Sequence, residues 1–261
     1  VSCAHGILIR ILCLRFMASN ELSVNPKKTG LLVIRKTRSP TTNVEIMVDG
    51  EKITEEKSHR ILGLTVDGSL SWSDHVYGKG GLLSAVNQRI GAIKRLSHQI
   101  PRRHLPQIAN AIVVSKIRYG LSVYCPTRTT EQDPTSGMAR DIQVALNKMM
   151  RITLGCRLRD RVPITELLSR TRIRGVNQMS AEDKLLLMWR TMSEPTSPLA
   201  HTIPTWRSES DRAPSRARTR GDIPIVTKSS LGERNFPTPG IRLWNASKPS
   251  LRQAQTVHAA K

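Results

Sequence analysis

Aromatic side chains are scarce in this sequence. Phe, Trp and Tyr together make up 3% of the 261 residues, and hydrophobic residues of all kinds reach 38%. Both fractions are low for one well-packed globule of this length, so we expect a modest core with poorly ordered ends. Long apolar runs are missing as well. The N-terminal run is short and is interrupted by Arg10, which excludes a membrane span there.

Paired cysteines are also missing. Cys3, Cys13, Cys125 and Cys156 lie far apart, no C-x-x-C pair occurs, and no histidine stands at ligand spacing from a cysteine. The sequence therefore predicts free thiols in a reducing compartment and no metal site. The first residues lack the features of a signal peptide, so we expect an intracellular protein, nuclear or cytoplasmic. Because no initiator Met is present, we expect a fragment.

Acidic residues are absent from one long stretch. The 56 residues from His75 to Thr130 contain no Asp or Glu. They contain nine basic residues, which are Lys79, Arg89, Lys94, Arg95, Arg102, Arg103, Lys116, Arg118 and Arg128. We take the first eight as candidate nucleic-acid-binding residues. An ordinary helix surface mixes charges of both signs, so a surface of one sign predicts contact with a polyanion.

The whole chain is strongly basic. It has 41 Lys and Arg against 20 Asp and Glu, which gives a net charge of +21. Such a surface attracts nucleic acid by neutralising phosphates and releasing counterions. An anionic membrane surface or an acidic partner is the alternative.

The first part of the chain has strand-like patterns. Residues 30–36, 43–54 and 59–72 are apolar or alternating, and Asp49-Gly50 and Asp67-Gly68 are turn signals. These patterns predict a small antiparallel sheet.

The pattern changes period after Gly81, where apolar residues begin to recur every three or four positions. This spacing predicts helices. The first face is Leu82, Val86, Ile90, Ile93 and Leu96, the second is Leu105, Ile108, Ile112 and Val113, and the third is Ile142, Ala145, Leu146, Met149 and Met150. Further helices are predicted over 164–170 and 177–193. The Pro-, Ser- and Arg-rich stretch 195–240 predicts a basic linker, and 241–261 a tail with some apolar character around Trp244.

An ordered series of motifs runs through the chain. NELSVNPKKTGLLVIRK is followed by HRILGLTVDGSLSWSDHV, then by SKIRYGLSVYCP, and near the end by GIRLWNASKPSLR. The series resembles the end of the palm and the thumb of non-LTR (LINE-type) retrotransposon reverse transcriptases, of the jockey- and R1-like kind. The matching palm positions are Asn20, Leu22, Asn25, Lys28, Thr29, Leu62, Gly63, Leu70, Trp72 and His75.

The resemblance implies an α+β fold. Its expected parts are an unmatched segment (1–16), a palm-end β region (17–76) containing the small antiparallel sheet, a mainly helical thumb-like region (77–194), and a poorly ordered basic C-terminal segment. That last segment consists of the linker (195–240) and the tail (241–261).

The resemblance also implies site roles. Lys28 corresponds to a lysine that would stabilise the pyrophosphate leaving group, and Leu62 and Gly63 correspond to the primer-grip turn. A surface lysine beside a turn and a strand glycine at a bulge are the plainer alternatives. The thumb of the family holds the template–primer duplex of RNA and DNA.

The family's catalytic carboxylates are not found in the matched part. The intact family uses Mg²⁺ held by converging carboxylates. Here the adjacent acidic pairs are Glu55-Glu56 and Glu182-Asp183, which we expect to be solvated charges. We therefore expect no cofactor in this chain and no polymerisation by it alone. Three hypotheses remain open, namely a binding fragment of a reverse transcriptase, an independent basic RNA- or DNA-binding protein, and the translation of a decayed element.

Overall fold

The computed structural model describes residues 16–17, 19–23, 25, 28–34, 44–48, 50–126, 137–194, 196–203, 222–225 and 237–247. The chain divides into two compact units, residues 1–75 and 76–261. The coarse prediction of an α+β protein with a small antiparallel sheet followed by helices is confirmed.

The first unit contains short strands. They are β1 (Leu31–Leu32), β2 (Glu45–Val48), β3 (Glu51–Glu56), β4 (Ser58–Ile61) and β5 (Leu64–Asp67). The strands β2 and β3 form the antiparallel hairpin that Asp49-Gly50 predicts, and Gly50 has a φ of +81°. The strand β1 pairs with β3 in parallel, and β4 pairs with β5 in a separate antiparallel hairpin.

The prediction of one uninterrupted strand from residue 59 to the turn at Asp67-Gly68 is wrong, although the last strand does end at Asp67. A tight turn at Leu62-Gly63 separates β4 from β5, and Ile61 stands opposite Leu64. Leu62 and Gly63 both have positive φ, +49° and +83°, as two-residue hairpin turns of type I′ require. The usual sequence of such a turn is Asn-Gly or Asp-Gly, so local residue preferences do not predict a turn at Leu-Gly inside an apolar run; only the family resemblance suggests one there.

A buried aspartate organises the chain after β5. The Asp67 side chain accepts hydrogen bonds from the backbone N–H groups of Ser69, Ser71 and Trp72, at 3.0, 3.0 and 2.8 Å. The hydroxyls of Ser69 and Ser71 donate to it as well. This network holds Leu70 and Trp72 at positive φ.

Helices dominate the rest of the described chain. They are α1 (Ser73–Tyr77), α2 (Leu82–Leu96), α3 (Leu105–Ala109), α4 (Ser115–Arg118), α5 (Leu121–Tyr124), α6 (Gly137–Leu154), α7 (Ile164–Thr171), α8 (Val176–Ser193) and α9 (Thr238–Ala246). The apolar faces predicted for the first and third helices are largely buried in α2 and α6. Helices α2, α3 and α7 pack against α6, which is therefore the centre of the bundle.

The second predicted helix has a different buried face. A π-helical turn, Asn110–Val114, lies between α3 and α4. The buried residues Leu105, Ala109, Val113 and Ile117 repeat every four positions, whereas an α-helix repeats every 3.6. The wider π turn keeps this stripe on one face, and it leaves the predicted core residues Ile108 and Ile112 only half-buried.

Parts of the predicted linker and tail are packed rather than extended. Ile203, Ile223, Ile241 and Trp244 form an apolar cluster with Met188 of α8. The Asn245 side chain accepts a hydrogen bond from the N–H of Ile223 at 2.9 Å and donates to its carbonyl at 2.8 Å. The expectation of a poorly ordered segment is therefore corrected for 196–203, 222–225 and 237–247. The other residues of 195–261 lie outside the described part of the chain.

Candidate nucleic-acid interface

Four exposed basic residues follow one another at the end of α2. Lys94 and Arg95 occupy its last turn, and Arg102 and Arg103 lie in a short 3₁₀ turn, Arg102–His104. The connection between them is tight, because the N–H groups of Gln99 and Ile100 both donate to the carbonyl of Leu96. We call these four residues the basic end of the helical unit.

Arg102 connects the basic end to α6. Its guanidinium lies directly over Gly155, where any added Cβ would overlap it. Gly155 follows the last residue of α6 and has a φ of +72°, a conformation that glycine adopts without strain. The connection that follows α2 therefore lies against the C-terminal end of α6.

The charge at this end has a structural use as well as a binding use. Helix C-termini carry a partial negative charge, and each nearby cation stabilises the helix by about 0.3–1 kcal/mol. Exposed guanidinium and ammonium groups in this position remain available to phosphates, which they can contact without reading sequence. Within 82–126 the chain contains no acidic side chain to neutralise them.

Arg89 and Arg118 do not belong to this surface. The half-buried Arg89 donates from Nη1 to the carbonyl of Ile112 in the π turn, at 2.6 Å. Arg118 forms a two-pronged ion pair with Asp183, with Nε at 2.9 and 3.1 Å from the carboxylate oxygens. The hydrogen bond that Arg118 donates to Asp183 is the main cause that raises the pKa of Arg118 above its usual value.

The acidic pair Glu182-Asp183 is thus not simply solvated. Asp183 pairs with Arg118, and Glu182 accepts a hydrogen bond from Arg174 at 2.7 Å. The expectation of solvated charges is wrong here because the fold brings α4 and α8 together across 65 positions of sequence. The other pair is also engaged, since Glu56 pairs with His59 at 2.8 Å.

The remaining two helical candidates, Lys79 and Lys116, lie outside the elements that form the basic end. Lys79 is exposed before the start of α2, and this helix of 15 residues separates it from Lys94 by about 20 Å. Lys116 is half-buried on α4.

The candidates taken from the palm resemblance lie in the first unit. Lys28 is exposed, and its N–H donates to the carbonyl of Asn25 at 3.1 Å within a turn. Leu62 is 86% exposed at the tip of the β4–β5 hairpin. The alternative of a bulge at Gly63 is replaced by a hairpin turn. The roles as leaving-group lysine and primer grip stay predictions.

One buried lysine is not predicted from the sequence. Lys184 of α8 is 2% exposed, and its Nζ donates to the carbonyl of Cys125 at 2.6 Å. Burial lowers the pKa of Lys184 to about 8 and raises the pKa of the Cys125 thiol to about 11. Lys184 falls on the stripe Val176, Ser180, Lys184 and Met188, whose spacing of four was the available signal for its burial.

Comparisons with known proteins do not assign this surface. Protein-family models, curated proteins and solved structures all give no match to the chain. Within the described residues, no cluster of three or more His, Cys, Asp or Glu side chains is placed to hold a metal ion. The helices of the described part include none long and apolar enough to cross a membrane.

Proposed function

We propose that the helical unit binds a nucleic-acid duplex through the basic end, as the thumb of a LINE-type reverse transcriptase holds its template–primer. The observation that carries the proposal is the placement of Lys94, Arg95, Arg102 and Arg103. All four are exposed, they lie at one end of the bundle, and the surrounding stretch of sequence has no acid.

The proposal assigns binding rather than chemistry to this chain. Phosphoryl transfer by two metal ions needs carboxylates that converge on both ions. The acidic pairs of this sequence are engaged with basic partners instead: Glu56 with His59, Glu182 with Arg174, and Asp183 with Arg118. The parent activity that the resemblance suggests is RNA-directed DNA synthesis, and we expect this chain not to perform it.

The test is equilibrium binding of the full chain to an RNA–DNA hybrid with a recessed primer end. The variant replaces Lys94, Arg95, Arg102 and Arg103 with Gln, which removes charge and keeps helix propensity. If the four residues contact phosphates, affinity at physiological salt falls on the order of 100-fold.

The matched control replaces four other exposed basic residues with Gln, which are Arg140, Lys148, Arg172 and Arg190. It changes the net charge by the same amount, so a general charge effect weakens both variants equally and contradicts the proposal. Competition with single-stranded RNA separates a duplex-binding thumb from a general RNA-binding protein, because only the former prefers the hybrid. Extension of the primer with dNTPs and Mg²⁺ would show that the chain is catalytically active, against our expectation.

A further inference from the structure

An exposed leucine is held between arginines immediately after α6. The short turn Arg157–Arg161, which we call the arginine turn, consists of Arg157, Leu158, Arg159, Asp160 and Arg161. Leu158 is 78% exposed, although its neighbours on both sides are ordered. An isolated exposed leucine is ordinary on a protein surface, but one fixed between three cations is a specific arrangement.

Hydrogen bonds fix the shape of the arginine turn. The N–H of Arg157 donates to Oδ2 of Asp160 at 2.6 Å, and the N–H of Asp160 donates to the carbonyl of Arg157 at 3.1 Å. The N–H of Arg161 donates to the carbonyl of Leu158, and Arg161 has a φ of +51°. Oδ2 of Asp160 therefore holds the backbone of the turn. Its Oδ1 lies 4.0 Å from Nε of Arg159, in an exposed pair that leaves the guanidinium accessible to solvent.

The arginine turn is also anchored at both ends. On one side, the N–H of Cys156 donates to the carbonyl of Arg151 and closes the last turn of α6 at Gly155. On the other side, α7 begins at Ile164 directly after Pro163. Arg102 of the basic end lies over Gly155, so the arginine turn starts two residues from that contact.

We propose that Leu158 is an apolar wedge that enters a groove of the bound nucleic acid while Arg157, Arg159 and Arg161 contact the flanking phosphates. This inference rests on the proposed function and adds a defined contact to it. Apolar side chains that insert between base steps, flanked by basic residues, partly unstack the bases and bend the duplex.

The charges favour nucleic acid over a membrane surface as the occupant. All three basic residues of the turn are arginines, whose planar guanidinium groups match phosphate oxygens with paired hydrogen bonds. A membrane-binding surface needs a broad apolar face. Here the exposed apolar side chain at the turn is Leu158, and the next exposed one, Ile164, begins a helix that faces its core with Leu167.

The test measures base stacking together with affinity. A short RNA–DNA hybrid carries 2-aminopurine either at its centre or at its end, and this base becomes more fluorescent when it is unstacked. We expect binding of the unmodified full chain to raise the fluorescence. Leu158→Ala should abolish the rise and weaken binding by roughly three- to tenfold, because less apolar surface is removed from water. The salt dependence of binding should stay the same, because no charge changes.

The control variant is Ile164→Ala, which removes another exposed apolar side chain and should change neither quantity. Because Leu158 is exposed, its Ala variant should keep the thermal midpoint of the unmodified chain. In contrast, replacing Arg157, Arg159 and Arg161 with Gln should lower the salt dependence by roughly 0.9 logarithmic units per lost phosphate contact.

The two proposals fail in different ways. If the unmodified chain does not bind the hybrid in a salt-dependent manner, the proposed function fails. If it binds and Leu158→Ala leaves fluorescence and affinity unchanged, the wedge alone is wrong. A second experiment measures binding to vesicles of phosphatidylserine and phosphatidylcholine. If Leu158→Ala weakens vesicle binding and leaves hybrid binding unchanged, Leu158 contacts a membrane and the wedge proposal is overturned.

Discussion

The buried Lys184 predicts that stability rises with pH in an alkaline range. Its pKa is about 8 in the folded chain, against 10.5 for an ordinary lysine. Between these two values the unfolded chain binds the proton and the folded chain does not, so raising the pH favours folding. Below pH 8 both states are protonated, and the full cost of burying the charge is present.

The size of the effect follows from the shift. The difference of 10.5 − 8, or 2.5 pKa units, corresponds to about 3 kcal/mol at 1.36 kcal/mol per unit. Lys184→Met keeps an unbranched side chain, shorter by one atom, and removes the charge. The carbonyl of Cys125 keeps a donor in this variant, because the Ser180 hydroxyl lies 3.3 Å from it. We therefore expect Lys184→Met to be neutral or stabilising at pH 7, as replacements of buried charges often are.

The assay is denaturant unfolding of the full chain, followed by helical circular dichroism between pH 7 and 10.5. The Cys125 thiol opposes the lysine, because its raised pKa lowers stability as pH rises above 9. The comparison is therefore made in a Cys125→Ala background, which keeps the carbonyl that Lys184 contacts. The difference in unfolding free energy between the chain with Lys184 and the Lys184→Met variant should change by at least about 3 kcal/mol over this range, because Cys125 no longer raises the pKa of Lys184. Burial also raises the pKa of Tyr124, which lowers stability above pH 10, but this loss is common to both chains and cancels in the difference. Parallel pH profiles would show that Lys184 keeps an ordinary pKa in the folded chain.

Three further changes test the framework around the site. Asp67→Ala should destabilise the turn after β5 by about 2–3 kcal/mol, because several donors lose the buried carboxylate that accepts their hydrogen bonds. Faster hydrogen exchange at the Trp72 amide would show this loss. Unchanged exchange would contradict this role. Gly155→Ala should lower the free energy of unfolding by about 1–2 kcal/mol, because alanine is strained at this positive φ. It should also weaken hybrid binding, because the added Cβ displaces Arg102. Unchanged stability and unchanged affinity would contradict the packing of Arg102 on Gly155. A double-mutant cycle of Arg118→Ala and Asp183→Ala should give a coupling of about 1 kcal/mol, modest because Arg118 is partly exposed. A coupling near zero would show that the ion pair does not contribute to stability.

Local periodicity is what made most of the helical unit predictable. The apolar faces of α2 and α6 follow the 3.6-residue repeat, so the spacing of residues such as Val86 and Leu146 predicts that they are buried. The helix after Leu105 departs from that repeat. Its π turn accepts a long-range hydrogen bond from Arg89 at the Ile112 carbonyl, a contact that helical periodicity does not predict.

The candidate site was only partly predictable for a related reason. A charge count along the sequence identifies Lys94, Arg95, Arg102 and Arg103 as well as Arg118, because it treats every basic residue alike. Only the fold shows that Asp183 meets Arg118. Long-range pairing of this kind depends on how helices pack, and a single sequence carries little information on it.

Binding of nucleic acid through the basic end is tested best by the salt dependence of hybrid binding. We predict a steep linear fall of log K with log salt for the unmodified chain. Replacement of Lys94, Arg95, Arg102 and Arg103 with Gln should make the slope shallower by about 3–4, at roughly 0.9 per phosphate contact. The control quartet Arg140, Lys148, Arg172 and Arg190 should leave the slope nearly unchanged. Equal slopes for the unmodified chain and the basic-end variant would show that these four residues do not contact phosphates.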